Sequence, residues 1–187
     1  MLTELLKEHT KQPHQELESI IISKIKQLDS RATYAHFLRV FYGYIAAIEQ
    51  KLNSILSDEL LADHNKRRKA SLLLKDISEL GHSAENVTLT SNIPQIHSAA
   101  QALGAMYVLE GSTLGGKYIS KMIAGRLALD PETALSFFNG YKEQTEAMWA
   151  QFKDTLNSYP LKEASEAEVI EAANQTFMKF KDWINEH

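Results

Sequence analysis

The sequence predicts an all-α protein that forms a single domain over residues 1–187, with roughly six to eight helices. Apolar residues recur at three- and four-residue spacing along nearly the whole chain, which is the period of an amphipathic helix. One short apolar run could pass as a strand in isolation, but the chain offers no other strand to pair with it. Internal repeats, low-complexity tracts and linkers are absent, so nothing divides the chain.

Helical periodicity defines three elements in the first half of the chain. Leu2–Leu28 is predicted as a helix with an interruption at Pro13, because a proline inside a helix removes a backbone hydrogen bond and usually kinks it. Tyr34–Leu56 is predicted as a second helix and Leu60–Leu80 as a third. The third contains a basic run at residues 66–69, and a solvated helix face explains this run better than a partner site does.

The second half contains the longest predicted helix. The polar stretch from Gly81 to Pro94 is expected to be a loop, and Gln95–Ala128 is expected to be a helix. Asp130-Pro131-Glu132 resembles a helix start, with the aspartate as cap and the proline in the first turn. Two further helices are predicted, one ending at about Tyr159 and one running from about Glu163 to the C-terminus.

Composition excludes several classes of function. The net charge is −4 and no long basic run occurs, so nucleic acid is not an expected partner. The chain has no cysteine, which excludes disulfides, thiolate metal sites and a cysteine nucleophile. No stretch reaches the roughly 18 apolar residues of a membrane span, and the polar N-terminus does not resemble a secretory signal. We therefore expect a cytoplasmic protein without membrane contact.

Four glycines mark the most informative stretch, Gly104–Lys121. Each glycine inside a helix costs roughly 1 kcal/mol relative to alanine, so a group of them requires a reason. Either another backbone packs closely against the helix or a flat, bulky ligand lies on it. The adjacent pair Gly115-Gly116 also predicts a bend. At helical period, one nearly bare stripe contains Gly104, Val108, Gly111, Gly115 and Tyr118.

The same stretch nearly matches a nucleotide-binding loop. From Gly111 the chain reads G-S-T-L-G-G-K-Y, which fits the phosphate-binding pattern except at the last position. There, Tyr118 replaces the serine or threonine that would hold magnesium. The loop also requires a parallel α/β sheet, which the chain does not predict, so we do not favour this interpretation.

A second stripe lies on the N-terminal helix. Lys7, Lys11, His14 and Glu18 share one helix face at their spacing. A metal-bound histidine usually donates its other ring N–H to a carboxylate, and Glu18, one turn after His14, is placed to accept it. The two lysines would suit an anionic ligand. Taken alone, a solvated charged face is the more common explanation of such a stripe.

Together the two stretches resemble the heme oxygenases, the family of enzymes that produce biliverdin. Residues 10–18, T-K-Q-P-H-Q-E-L-E, are similar to the proximal motif T-x-x-x-H-x-x-x-E of that family. Residues 107–116, Y-V-L-E-G-S-T-L-G-G, are similar to its distal glycine helix, particularly in the bacterial members. Residues 171–177, E-A-A-N-Q-T-F, also resemble the last helix of the family, so the similarity covers nearly the whole chain.

The resemblance implies a set of proximal residues. His14 would be the iron ligand, and Glu18 would be the partner of its second ring nitrogen. Lys7 and Lys11 match the basic residues near the heme propionates, and Lys153 falls where the family often has another. The heme would lie between this helix and a kinked distal helix.

The resemblance also implies a set of distal residues. Gly111 and Gly115 match the glycines whose backbone approaches the iron-bound oxygen, and Gly116 continues the kink. Tyr107 and Phe177 would line the pocket.

Two positions depart from the family pattern. Ser112 stands where the animal enzymes carry an aspartate that organises distal waters, so other groups must order water here. His9 replaces a small residue and is either a nearby rival ligand or a surface residue.

The activity implied by the resemblance is oxidative cleavage of heme. Heme would be both cofactor and substrate, and O2 with electrons from a ferredoxin or an NAD(P)H-dependent reductase would yield biliverdin, carbon monoxide and ferrous iron. We expect a monomer.

Three alternatives from other classes remain. A heme carrier or sensor on the same fold would bind heme without degrading it, and the departure at Ser112 keeps this alternative open. A helical enzyme of thiaminase type would need a cysteine, which the chain lacks. A helical interaction protein would leave the glycine stripe unexplained.

Overall fold

The computed structural model describes residues 1–160 and 163–187, and this part of the chain contains helices and turns but no strand. The all-α prediction is therefore confirmed. Among the described residues, none of the helices is both long and apolar enough to cross a membrane. The α-helices are α1 (Leu2–His9), α2 (Lys11–Gln27), α3 (Arg31–Leu52), α4 (Ser71–Glu79), α5 (Ala99–Leu127), α6 (Ser136–Asn139), α7 (Thr145–Ser158) and α8 (Glu163–Glu186).

The long helix α5 lies at the centre of the packing. It contacts α8 along much of its length and also contacts α6, α7, α2 and α3. The core of buried apolar side chains includes two tyrosines whose hydroxyls are satisfied by distant carbonyls. Tyr34 donates to the Ala134 carbonyl at 2.8 Å and Tyr44 to the Thr176 carbonyl at 2.7 Å. These bonds satisfy polar groups that would be costly to bury unpaired, and they connect α3 to the second half of the chain.

The N-terminal helix is interrupted at Thr10 and not at Pro13. Thr10 is buried, and its hydroxyl donates to the Leu6 carbonyl at 2.6 Å, which closes the end of α1. Pro13 lies in the first turn of α2, where a backbone N–H has no partner within the helix. The prediction of an interruption is confirmed, but its position is corrected by three residues.

The predicted helix Leu60–Leu80 is largely wrong. Only Ser71–Glu79 is α-helical, and a short 3-10 turn at His64–Lys66 precedes it. At Arg67 the backbone is extended, with φ −70° and ψ 150°. The predicted solvated face is also wrong, because the Arg67 side chain turns inward and is buried.

The predicted helix start at Asp130 is a turn instead. The Asp130 carboxylate accepts the Glu132 N–H at 2.9 Å, and Ala134 has φ +57°, which is outside the helical region. Helix α6 begins two residues later at Ser136, and carboxylates of α4 hold this segment in place. Asp76 accepts the N–H groups of Ser136 and Phe137, each at 2.9 Å.

The remaining predicted helices are confirmed with adjusted ends. Ser30 caps α3 by accepting the Thr33 N–H, so this helix starts three residues earlier than predicted. Ser98 caps α5 by accepting the Gln101 N–H, which places its start after the predicted Gln95. Ala128 then ends α5 in the left-handed conformation, and α5 continues as one helix through the glycine pair. Gly81 to Pro94 is a loop, as predicted.

Candidate functional site

The glycines of α5 serve two different purposes. A side-chain carbon added at Gly104 would overlap the Val169 carbonyl of α8, and one added at Gly116 would overlap the Phe138 carbonyl. At these two positions the missing side chain allows another backbone to pack against the helix. This is one of the two explanations that the sequence offered.

Gly111 and Gly115 are different, because no backbone fills the space above them. A carbon added at Gly111 would meet only the indole of Trp149, at an ordinary contact distance of 3.6 Å. A carbon added at Gly115 would have no described atom within 4 Å, and Gly115 is exposed. These two glycines form an open strip of bare helix backbone, which we call the glycine surface.

The predicted proximal residues lie on the exposed face of α1 and α2. His14 is exposed, and its ring centroid lies 5.4 Å from that of Phe177, a buried residue of α8. Lys7, Lys11 and Glu18 are exposed as well.

The expected contact between His14 and Glu18 is not made in the described structure. A different carboxylate of α2, that of Glu16, binds Lys181 at 2.7 Å. The Glu16–Lys181 pair lowers the pKa of the carboxyl group and raises that of the amine. It joins α2 to α8 on the protein surface.

A contact between Tyr107 and Thr10 brings the two predicted stretches together. The Tyr107 side chain of α5 contacts the Thr10 side chain at the α1–α2 junction. Gly111 lies one helical turn after Tyr107, and His14 lies one helical turn after Thr10. Tyr107 is half-buried, its ring lies 5.5 Å from that of Trp149, and burial raises the pKa of its hydroxyl.

Ser112 is exposed but held by two hydrogen bonds. Its hydroxyl donates to the Leu109 carbonyl at 2.7 Å and accepts from the Arg68 guanidinium at 2.5 Å. The same guanidinium lies 4.0 Å from the centroid of the Phe137 ring. Burial lowers the pKa of Arg68 to about 10, so the group remains a cation at neutral pH.

The remaining predicted residue, Lys153, projects from α7. It is half-buried, and its ammonium lies 5.9 Å from the centroid of the Trp149 indole ring. Trp149 therefore has Lys153 on one side and the glycine surface close by. Because the Trp149 indole is also the group that faces the space above Gly111, it forms a wall beside the glycine surface.

Sequence reasoning missed a largely buried polar cluster that includes the residue immediately before Gly111. It consists of Asp63, Arg67, Glu110 and Tyr141, and Arg67 and Glu110 form an ion pair at 2.8 Å. The available signal was Glu110 itself, a carboxylate in an otherwise apolar run that ends at Gly111. A cavity of about 30 Å³ adjoins this cluster, which is room for about one water molecule.

Comparison with known proteins identifies the family. The model of the heme oxygenase family matches residues 1–186. The chain belongs to the heme oxygenase family. The match confirms the resemblance to heme oxygenases that the proximal and distal motifs indicated.

Curated heme oxygenases are similar over most of their length. Heme oxygenase PigA of Pseudomonas aeruginosa is 27% identical over 175 residues, which is 94% of this chain and 87% of PigA. A heme oxygenase of Xanthomonas campestris is 29% identical over 148 residues, covering 79% of this chain and 86% of that protein.

Solved structures share the fold. The heme oxygenase of Neisseria meningitidis, solved with NO and CO bound, matches all of this chain and 91% of its own with a TM-score of 0.84 at 19% identity. Heme oxygenase-1 of the cyanobacterium Synechocystis, solved with heme, matches 99% of this chain and 91% of its own with a TM-score of 0.71 at 18% identity.

Proposed function

We propose that this chain is a heme oxygenase that cleaves heme to biliverdin, carbon monoxide and ferrous iron. The observation that carries the proposal is the glycine surface of α5. Gly111 and Gly115 leave helix backbone uncovered in a chain whose family model spans residues 1–186. A flat macrocycle suits such a surface, because it can approach the backbone without meeting a side chain.

The residues of α1 and α2 fit the opposite side of the heme. The exposed imidazole of His14 is available as an iron ligand, and neutral imidazole is a common ligand of heme iron. Glu18, one turn later, would accept the second ring N–H once His14 is fixed by the iron. Lys7 and Lys11 are exposed ammonium groups that would pair with the propionate carboxylates.

On the distal side, the chain contributes shape and hydrogen bonds. The bound heme supplies the redox chemistry with O2 and with electrons from an external ferredoxin or reductase. Gly111 and Gly115 bring no acid or base to the reacting face, so these two positions supply no side chain that could cleave the O–O bond by proton transfer. Ser112 and Arg68 are polar groups near this surface, and they would order water at the edge of the site.

Hemin degradation in air tests the proposal. Purified protein is mixed with hemin, and ascorbate or a ferredoxin system is added with catalase present, so that free hydrogen peroxide cannot degrade the heme. Loss of the Soret band with growth of extractable biliverdin is the expected result. A Soret band that survives the reductant would contradict heme oxygenase activity and would favour a heme carrier or sensor. No spectral change on mixing would contradict heme binding.

A further inference from the structure

The Arg67 guanidinium is the centre of a buried hydrogen-bond network. Its side chain is 2% exposed and that of Glu110 is 3% exposed. Nε donates to Asp63 Oδ1 at 3.0 Å, while Nη1 donates to Glu110 Oε2 and to the Met148 carbonyl, both at 2.8 Å. Nη2 lies 2.8 Å from Asp63 Oδ2 as a second ion-pair contact. One side chain thus joins the loop before α4 to both α5 and α7.

Tyr141 adds a second connection to the same carboxylate. Its hydroxyl donates to Glu110, with oxygen–oxygen distances of 2.9 and 3.0 Å, and accepts the Arg68 backbone N–H at 2.6 Å. The Glu110 carboxylate therefore accepts hydrogen bonds from two side chains, those of Arg67 and Tyr141. Both donors are anchored to the segment before α4.

The position of the network is its most informative property. Glu110 immediately precedes Gly111 on α5, and Met148 immediately precedes Trp149 on α7. The Trp149 indole is the group nearest to the space above Gly111. The Gly111 backbone and the Trp149 indole face each other at the glycine surface. Arg67 therefore binds the residue that precedes each of these two groups.

We propose that Arg67 is a positioning residue that fixes the separation between the Gly111 backbone and the Trp149 indole. This inference rests on the proposed function, since that separation would limit how the heme seats against α5. Stability alone explains the network poorly, because apolar residues of similar volume often replace a buried ion pair at no cost. A planar guanidinium that reaches three acceptors on separate segments fixes their mutual geometry.

The most informative variant is Arg67→Lys. Lysine keeps the positive charge beside Glu110, but its single ammonium cannot reproduce the planar fork that reaches Asp63, Glu110 and the Met148 carbonyl together. The neighbouring change Lys66→Arg is the matched control, because Lys66 is exposed in the same loop.

The first readout is taken on the protein without heme. Trp149 is observed by fluorescence in a Trp183→Phe background, which removes the other tryptophan. We expect Arg67→Lys to shift the emission maximum and to increase the acrylamide quenching constant at least twofold, while Lys66→Arg leaves both unchanged. Unchanged emission and quenching in Arg67→Lys would overturn the positioning role.

The second readout is the ratio of biliverdin isomers formed from hemin. A seating change alters which meso carbon reacts, so we expect at least a threefold change in this ratio with Arg67→Lys and none with Lys66→Arg. General destabilisation would slow turnover without altering the ratio, so an unchanged ratio would overturn the inference.

The two proposals fail in different ways. If the unmodified protein does not degrade hemin, the proposed function fails, and the Trp149 fluorescence still decides whether Arg67 positions that side chain. If Arg67→Lys does not fold, Glu110→Gln replaces it with the same two readouts and the same expected direction. Glutamine keeps the size and one acceptor oxygen but removes the charge, and unchanged readouts in that variant would likewise overturn the inference.

Discussion

Gly116 of α5 lies directly against the main-chain carbonyl of Phe138, with no space for a side-chain carbon between them. Phe138 belongs to α6, whose first N–H groups are held by the buried carboxylate of Asp76 on α4. A chain of fixed contacts thus runs from α4 through α6 to α5, immediately beside Gly115. It supports the glycine surface from behind.

The first prediction concerns Gly116→Ala. The added methyl group would overlap backbone that α4 holds in place, so we expect a loss of about 1–3 kcal/mol in the free energy of unfolding, measured by urea denaturation. Gly125→Ala is the matched control on the same helix, because the space around Gly125 is open. That variant should gain about 0.5–1 kcal/mol, since alanine favours the helix. Equal stability of the two variants would contradict the close packing.

The second prediction separates stability from function at Gly115. Gly115→Ala should stabilise the protein without heme by about 0.5–1 kcal/mol, as Gly125→Ala does, because both positions are open. Its rate of hemin degradation should nevertheless fall by on the order of tenfold or more, since the methyl group occupies the surface proposed for the heme. The rate of Gly125→Ala should match that of the unmodified protein. If both variants degraded hemin equally fast, the glycine surface would not be the heme site.

The third prediction concerns the pH dependence caused by Asp76. Burial raises the pKa of this carboxyl group above its usual 3.8, although the N–H groups of Phe137 and Ser136 oppose the shift. The folded state therefore holds the proton more tightly than the unfolded state does, and stability falls as pH rises through this window.

Asp76→Asn removes the titration and serves as the reference for this prediction. The free energy of unfolding of the unmodified protein minus that of the variant should decrease as pH rises from about 3.8 through the raised folded-state pKa. Urea denaturation of both proteins without heme, at matched ionic strength, measures this difference. A difference that stays constant or increases with pH would contradict the raised pKa.

Most helices could be predicted because their signals are local. The apolar period of α3, α7 and α8 is contained within each segment. The serine caps of α3 and α5 are local as well, but the apolar period alone did not find them, and the predicted starts of both helices were therefore displaced. The interruption near the N-terminus was also predictable in kind, but it falls at Thr10 because the buried threonine hydroxyl ends α1 there.

The basic run at residues 66–69 could not be predicted correctly from local sequence. Arg67 is buried because its partners Glu110 and Met148 lie 43 and 81 residues further along the chain. A local pattern shows four basic residues and favours solvent for all of them. Only the packing of α5 against α7 reveals that one of them turns inward.

The glycines illustrate the same limit within the candidate site. The sequence offered two explanations for their presence and could not assign glycines to each. Gly104 and Gly116 allow close backbone packing, whereas Gly111 and Gly115 are open, and this division depends on where Val169 and Phe138 fall in the folded chain.

The most direct test of the proposed heme site is the iron–histidine stretching band in the resonance Raman spectrum of the ferrous heme complex. We expect the band in the unmodified protein and its loss in His14→Ala, with recovery when imidazole is added. His14 is exposed, and its one aromatic contact among the described residues is with the ring of Phe177, so the variant should fold as the unmodified protein does. Retention of the band in His14→Ala would contradict ligation by His14 and the placement of heme between α2 and α5.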